Sequence, residues 1–147
     1  MKKLLTIITA LLFFANMFAQ TSNDFIVIDE IAENLESLKK QYNGQNVYLT
    51  SGVELDAISQ ITNAIKSQQV ENIHIFVPTK PGAIVFSSVA VVNSNVNKLA
   101  SELTNWKSNI SGQVIIHSDN VFNGESGMKL KQELERLTGL IFTTINN

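Results

Sequence analysis

Apolar residues along this chain fall into two alternating patterns. Short unbroken runs occur at Phe25-Ile26-Val27-Ile28, Val47-Tyr48-Leu49, Ile73-His74-Ile75-Phe76-Val77, Val114-Ile115-Ile116 and Leu140-Ile141-Phe142. Runs of that length suit strands covered on both faces. Between them, apolar side chains recur at helical spacing: Ile31, Leu35, Leu38 and Tyr42, then Leu55, Ile58, Ile61 and Ile65. Val96, Leu99, Leu103 and Trp106 form a third stripe, and Leu130, Leu134 and Leu137 a fourth, on a helix expected over about 125–137. Each stripe gives a helix one face to bury. Gly44 and Gly139 follow the first and last stripes, where glycine readily takes the left-handed conformation beyond a helix end.

The segment Pro78-Thr79-Lys80-Pro81-Gly82 cannot be helix or inner strand, because two prolines remove backbone donors and Pro-Gly favours a turn. The apolar runs 83–86 and 89–92, separated by Ser87-Ser88, read as a small hairpin. If exposed, its second run could pair edge to edge. The order βαβαβ, hairpin, αβαβ predicts an α/β fold, a three-layer α/β/α sandwich around a mostly parallel sheet, with strand order near 2-1-3-4-5. The core should cover about 25–145 within one domain, 20–147. Functional groups in such folds gather beyond the carboxyl ends of the strands. Here those ends are Asp29, Thr50-Ser51, Pro78-Thr79-Lys80, Ser118-Asp119-Asn120 and Thr143.

The beginning of the chain follows neither pattern. Lys2 and Lys3 precede an apolar stretch over residues 4–15, and Ala19 closes it with a small residue. That is the arrangement of a secretory signal, expected over residues 1–19. The stretch is shorter than the roughly 20 apolar residues that cross a bilayer. Export to the periplasm or the extracellular space is therefore expected, with no membrane span after cleavage. Phe18-Ala19-Gln20 resembles the cleavage region of Bacteroidota-type signals.

Composition narrows the chemistry. The 147 residues contain no cysteine, which excludes disulfide scaffolds, thiolate metal sites and a cysteine nucleophile. A net charge of −2 argues against a nucleic-acid partner. Arg136 is the one arginine, so bidentate guanidinium recognition of phosphate or carboxylate is nearly absent. No phosphate-binding glycine loop or G-x-S-x-G sequence occurs.

Two histidines remain. His74 lies within an apolar strand and reads as a packed histidine with one hydrogen bond. His117 ends a strand and precedes Ser118 and Asp119, the best catalytic cluster on offer. Neighbours on an extended chain point to opposite sides, however, so His117 and Ser118 do not readily face one another. Two histidines 43 positions apart with scattered acids make no metal-ligand spacing. Asp119, Asn120 and Glu125 have the composition of a calcium loop but equally of an ordinary one. No metal and no cofactor are therefore expected. Asp29, Glu30, Glu33 and Glu36 near the first helix start read as a solvated acidic face, favoured by the helix dipole. Trp106 reads as core.

The segment Ile73-His74-Ile75-Phe76-Val77-Pro78-Thr79-Lys80-Pro81-Gly82-Ala83 resembles the strand and turn of a bacterial family, the domain of unknown function 4347. So does the stretch over 114–139, with Asn120-Val121, Gly124, Gly127, Leu134 and Leu137-Thr138-Gly139 in the family's spacing. The family is found in large secreted, adhesin-like proteins and looks distantly like the caspase and gingipain clan of peptidases, including the CHAT group. The resemblance implies a His after the third strand and a Cys after the fourth. The matching positions here hold Pro78 and Asp119. Proline has no proton to move, and a carboxylate is a poor substitute for a thiolate on an amide.

The resemblance thus implies a scaffold without its dyad. The expected function is an exported, non-catalytic module binding a protein, peptide or glycan. Its cleft would be floored by Thr79, Lys80, Ser118, Asp119 and Asn120. Two alternatives stand beside it: a secreted hydrolase using His117, Asp119 and a serine, and a truncated, vestigial domain of an adhesin-like protein.

Overall fold

The computed structural model describes residues 23–53 and 55–146. The signal expected over 1–19 lies outside the described residues. Five strands form the central sheet: β1 (Phe25–Asp29), β2 (Val47–Thr50), β3 (Ile73–Phe76), β7 (Gln113–His117) and β8 (Ile141–Ile145). Their order is β2-β1-β3-β7-β8, and all four pairings are parallel. Counting these five alone, this is the expected order 2-1-3-4-5.

Strand alternation divides the sheet between two unequal layers. Phe25, Val27, Ile73, Ile75, Val114, Ile116 and Phe142 turn to one side. There they pack with α2 (Ala57–Ile65) through Ile58, Ile61 and Ile65, and with α4 (Gly124–Thr138) through Leu130 and Leu134. Ile26, Ile28 and Phe76 turn to the other side, where α1 (Leu35–Gln41) covers them with Leu35 and Leu38. That helix has only seven residues, none fully buried. Beyond it the second face is thinly covered, and Ile141 and Ile145 stand exposed.

Two predicted stripes are shorter than expected. Ile31 is exposed and lies before α1, in a turn where Ala32 N–H donates to the Asp29 carbonyl at 2.9 Å. Leu55 is exposed before α2, because Asp56 caps that helix: its carboxylate accepts from Ser59 N–H at 3.0 Å. The third stripe is broken into a 3-10 turn (Val96–Leu99), the short α3 (Ala100–Leu103) and a second 3-10 turn (Trp106–Ser108). Asn95 does not cap it; its side chain turns back, accepting from Val92 N–H at 3.0 Å and donating to the Ala90 carbonyl at 2.7 Å. Thr104 hydroxyl bonds back to the Ala100 carbonyl at 2.9 Å, a local bond that competes with regular helix. The stripe still delivers Trp106 to the core, where its indole N–H donates to Thr62 Oγ1 at 2.8 Å.

The hairpin gains a third strand. β4 (Thr79–Lys80), β5 (Ala83–Val85) and β6 (Ala90–Val92) form a separate antiparallel sheet. Gly82, at φ +77°, makes the β4–β5 turn. Ile84, Phe86 and Val91 are buried in the main core, so this arm is a lid over it rather than a greasy free edge.

One buried carboxylate ties the arm to the sheet. Asp29 was expected on a solvated face but is fully buried at the end of β1. The burial is tolerated because the carboxylate is surrounded by donors. Its Oδ2 accepts from Thr50 Oγ1 at 2.7 Å and Ser87 Oγ at 3.1 Å; its Oδ1 accepts from Ser87 N–H at 3.0 Å and Ile31 N–H at 3.2 Å. Asp29→Ala strands those donors and should cost about 3 kcal/mol in urea unfolding. Glu33→Ala, at an exposed position, should stay within about 0.5 kcal/mol. Equal effects from the two would remove Asp29 from this role.

Candidate functional site

Parallel pairing of β3 with β7 brings two distant sequence segments together. His74 lies opposite Ile115 in the register, and Ile75 opposite Ile116. The strands then end side by side, delivering Pro78 and Thr79 next to Ser118, Asp119 and Asn120. Here the sheet, α1 and the strand ends enclose a cleft of about 840 Å³.

Its polar part is a set of linked hydroxyls and amides. Thr79 Oγ1 lies 2.5 Å from Ser118 Oγ and donates to Asn120 Oδ1 at 3.2 Å. Ser118 Oγ in turn accepts from Asn120 N–H at 3.2 Å. The apolar part is Phe76, with Tyr42 tilted against it at 5.3 Å between ring centroids and His117 stacked on it at 3.7 Å. Asn34 contributes from the start of α1 at φ +57°, a left-handed conformation that asparagine tolerates better than most residues.

Of the five residues expected to floor the cleft, Thr79, Ser118, Asp119 and Asn120 line it. Lys80 does not: it is exposed on β4, and strand alternation turns it from the face that Thr79 presents. Among the described residues Lys80 therefore makes no ion pair with Asp119 across the cleft. Pro78 and Asp119 both line the cavity. Glu33, from the supposed solvated face, lines it as well, and among the described residues neither Glu33 nor Asp119 pairs with a cation. Among the described residues no lysine or arginine lines the cavity. Glu125, weighed with Asp119 for calcium, pairs instead with Lys129 at 2.6 Å.

The pairing of the two histidines was missed in the sequence. His74 Nδ1 lies 3.0 Å from His117 Nε2, and His74 Nε2 lies 3.5 Å from Asp24 Oδ2. If His74 carries its hydrogen on Nε2, facing the carboxylate, its Nδ1 accepts from His117 Nε2–H. The chain Asp24–His74–His117 then ends on the cleft wall. Ser118 belongs to a different set, since its hydroxyl contacts Thr79 and Asn120.

The fold and site together define a doubly wound α/β domain with a polar, anionic cleft at the ends of adjacent central strands. Residues 25–146 match the model of a domain of unknown function (DUF4347), and the chain belongs to that family. No curated protein and no solved structure matches the chain. Among the described residues no helix is long and apolar enough to cross a membrane.

Burial in the cleft pushes the Tyr42 phenol above its ordinary value of 10.0, because the phenolate would lose hydration there. The neutral form is thus favoured in the folded chain. Tyr42 contributes stability that is complete below the unfolded value and is lost as pH rises through the folded one. An ultraviolet titration should show a late tyrosine ionisation that Tyr42→Phe removes. An unchanged titration in that variant would mean that Tyr42 is not shielded in the cleft.

Proposed function

We propose that this chain is an exported, non-catalytic binding module at the cell envelope, built on a scaffold like that of the caspase and gingipain clan with the reactive pair replaced. The leader pattern over residues 1–19 supports export. Pro78 and Asp119, at the positions matching that clan's His and Cys, support the loss of thiol chemistry. The ligand class follows from one observation: among the described residues Glu33 and Asp119 line a cleft without a lining lysine or arginine, together with the partly exposed rings of Tyr42 and His117, which pack on the buried Phe76. Carboxylates without partners beside aromatic faces suit a cationic side chain, through charge and through attraction to the ring faces. The reading is therefore a peptide segment carrying lysine or arginine.

A second reading has its own support. The Asp24–His74–His117 chain is the arrangement that would orient an imidazole as a general base, and it underlies the alternative of a secreted hydrolase. The linked hydroxyls of Ser118 and Thr79 weigh against it, because a nucleophile there would first have to leave its present hydrogen bonds.

A peptide array graded in lysine and arginine content separates the two. The purified protein should retain basic peptides, and Glu33→Gln with Asp119→Asn should weaken retention at least about tenfold, consistent with loss of charge-assisted contacts. Retention unchanged by that double substitution would refute the anionic cleft. Peptide or ester hydrolysis abolished by His117→Ala would establish the second reading in its place.

A further inference from the structure

We propose that a second copy of this chain pairs antiparallel with the free edge of β8, joining two five-stranded sheets into one. Among the described residues β8 has β7 on one side and no strand on the other. Its sequence, Ile141-Phe142-Thr143-Thr144-Ile145, carries neither charge nor proline. Edge strands normally carry such residues to prevent pairing with another chain. Ile141 is 62% exposed and Ile145 45%, on the sheet face beyond the cover of α1.

The occupant is argued from self-complementarity. On the bare face the order Ile141, Thr143, Ile145 reads the same in both directions. A two-fold axis at Thr143 therefore sets Ile141 against Ile145 of the second copy, and Thr143 against its own equivalent. The backbone accepts the same register. The Ile145 carbonyl accepts from Ser118 N–H at 3.1 Å, so Ile141, Thr143 and Ile145 direct their amide groups toward β7. Phe142 and Thr144 direct theirs outward. In an antiparallel pair about Thr143, Phe142 and Thr144 of the second copy form a hydrogen-bonded pair and the two Thr143 residues a non-hydrogen-bonded one.

Charge on α4 fits this axis too. Phe142 N–H donates to Glu135 Oε1 at 3.0 Å, and Lys131 Nζ lies 3.8 Å from the same oxygen. The four residues from Lys131 to Glu135 rise about 6 Å, close to the length of two strand residues. With α4 antiparallel to β8, Glu135 stands beside Phe142 and Lys131 about level with Thr144. The two-fold axis then brings Glu135 level with Lys131 of the second copy. The Phe142 donor, released from Glu135, finds the Thr144 carbonyl of the second copy, and Glu135 is freed for the lysine across the axis. The edge is thus plugged by one flexible side chain rather than closed.

The test is sedimentation equilibrium of the full chain. The wild type should associate to a dimer, and Ile141→Lys with Ile145→Lys should be monomeric with an unchanged circular dichroism spectrum, since both side chains already face solvent. Should that double variant unfold, Thr144→Lys, also at an exposed position, gives the same readout. Because the chain has no cysteine, Thr143→Cys reports the register directly. Facing residues of a non-hydrogen-bonded pair lie about 4.5 Å apart at Cα, within reach of a disulfide. That variant should form a covalent dimer in air. A wild type that stays monomeric at millimolar concentration overturns the proposal, as does a dimer that survives the lysine substitutions. A dimer that Thr143→Cys cannot crosslink overturns the register.

Discussion

The pairing of β3 with β7 is the constraint on which the rest of the molecule depends. Its register sends Ile73, Ile75, Val114 and Ile116 into the main core, and by the two-residue alternation of a strand it sends His74, Phe76, Ile115 and His117 to the opposite face. The same pairing aligns the ends of the strands, so that Thr79 meets Ser118 and Asn120. A slip of one residue would bury the histidines among the isoleucines and scatter the cleft. The register is therefore held by hydrophobic burial on one face, and the polar site on the other inherits it.

The two faces are covered very differently, and this asymmetry creates the surfaces that matter. α2, α4 and the β4–β6 arm close the main core. On the other face the seven-residue α1 covers β1 and β3, and Ile115 of β7 is still buried, but β8 is left largely bare. The cleft lies at the boundary of covered and uncovered sheet, and the exposed isoleucines of β8 lie beyond it. The buried Asp29 joins the two sides: its bonds to Thr50 and Ser87 fasten the arm to the strand ends near which the cleft opens.

How much of this is readable in the sequence depends on whether a feature is local or relational. The five apolar runs and the crossovers between them are local patterns, and they specify the sheet order because only a sheet between helical layers buries both kinds of stripe. The ends of the stripes are less legible. Ile31 and Leu55 have helical spacing, but Ala32 and Asp56 close turns and caps just where the stripe would continue. Asp29 is illegible for a different reason, since its partners Thr50 and Ser87 are 21 and 58 positions away. The histidine pair was within reach: the order 2-1-3-4-5 makes β3 and β7 neighbours, and alternation places His74 and His117 on one face. A separation of 43 positions along the chain becomes 3.0 Å in space once those two strands pair.

The energetics of the cleft limit what can bind there. Thr79, Ser118 and Asn120 already satisfy one another, so a ligand that engages them replaces bonds rather than adding them, and the net gain of each exchange is small. His117 is similarly engaged by His74 and stacked on Phe76. What the cleft offers without an exchange is the pair of carboxylates, Glu33 and Asp119, and the partly exposed Tyr42 ring that lines the same cavity. Both acids are exposed, so each isolated charge contributes weakly and is screened by salt. A ligand that meets both charges and also covers the ring removes water from all of them together, which strengthens the attraction. Selectivity in such a site comes from the combination, and this favours an extended cationic side chain over a small cation that would leave the ring wet.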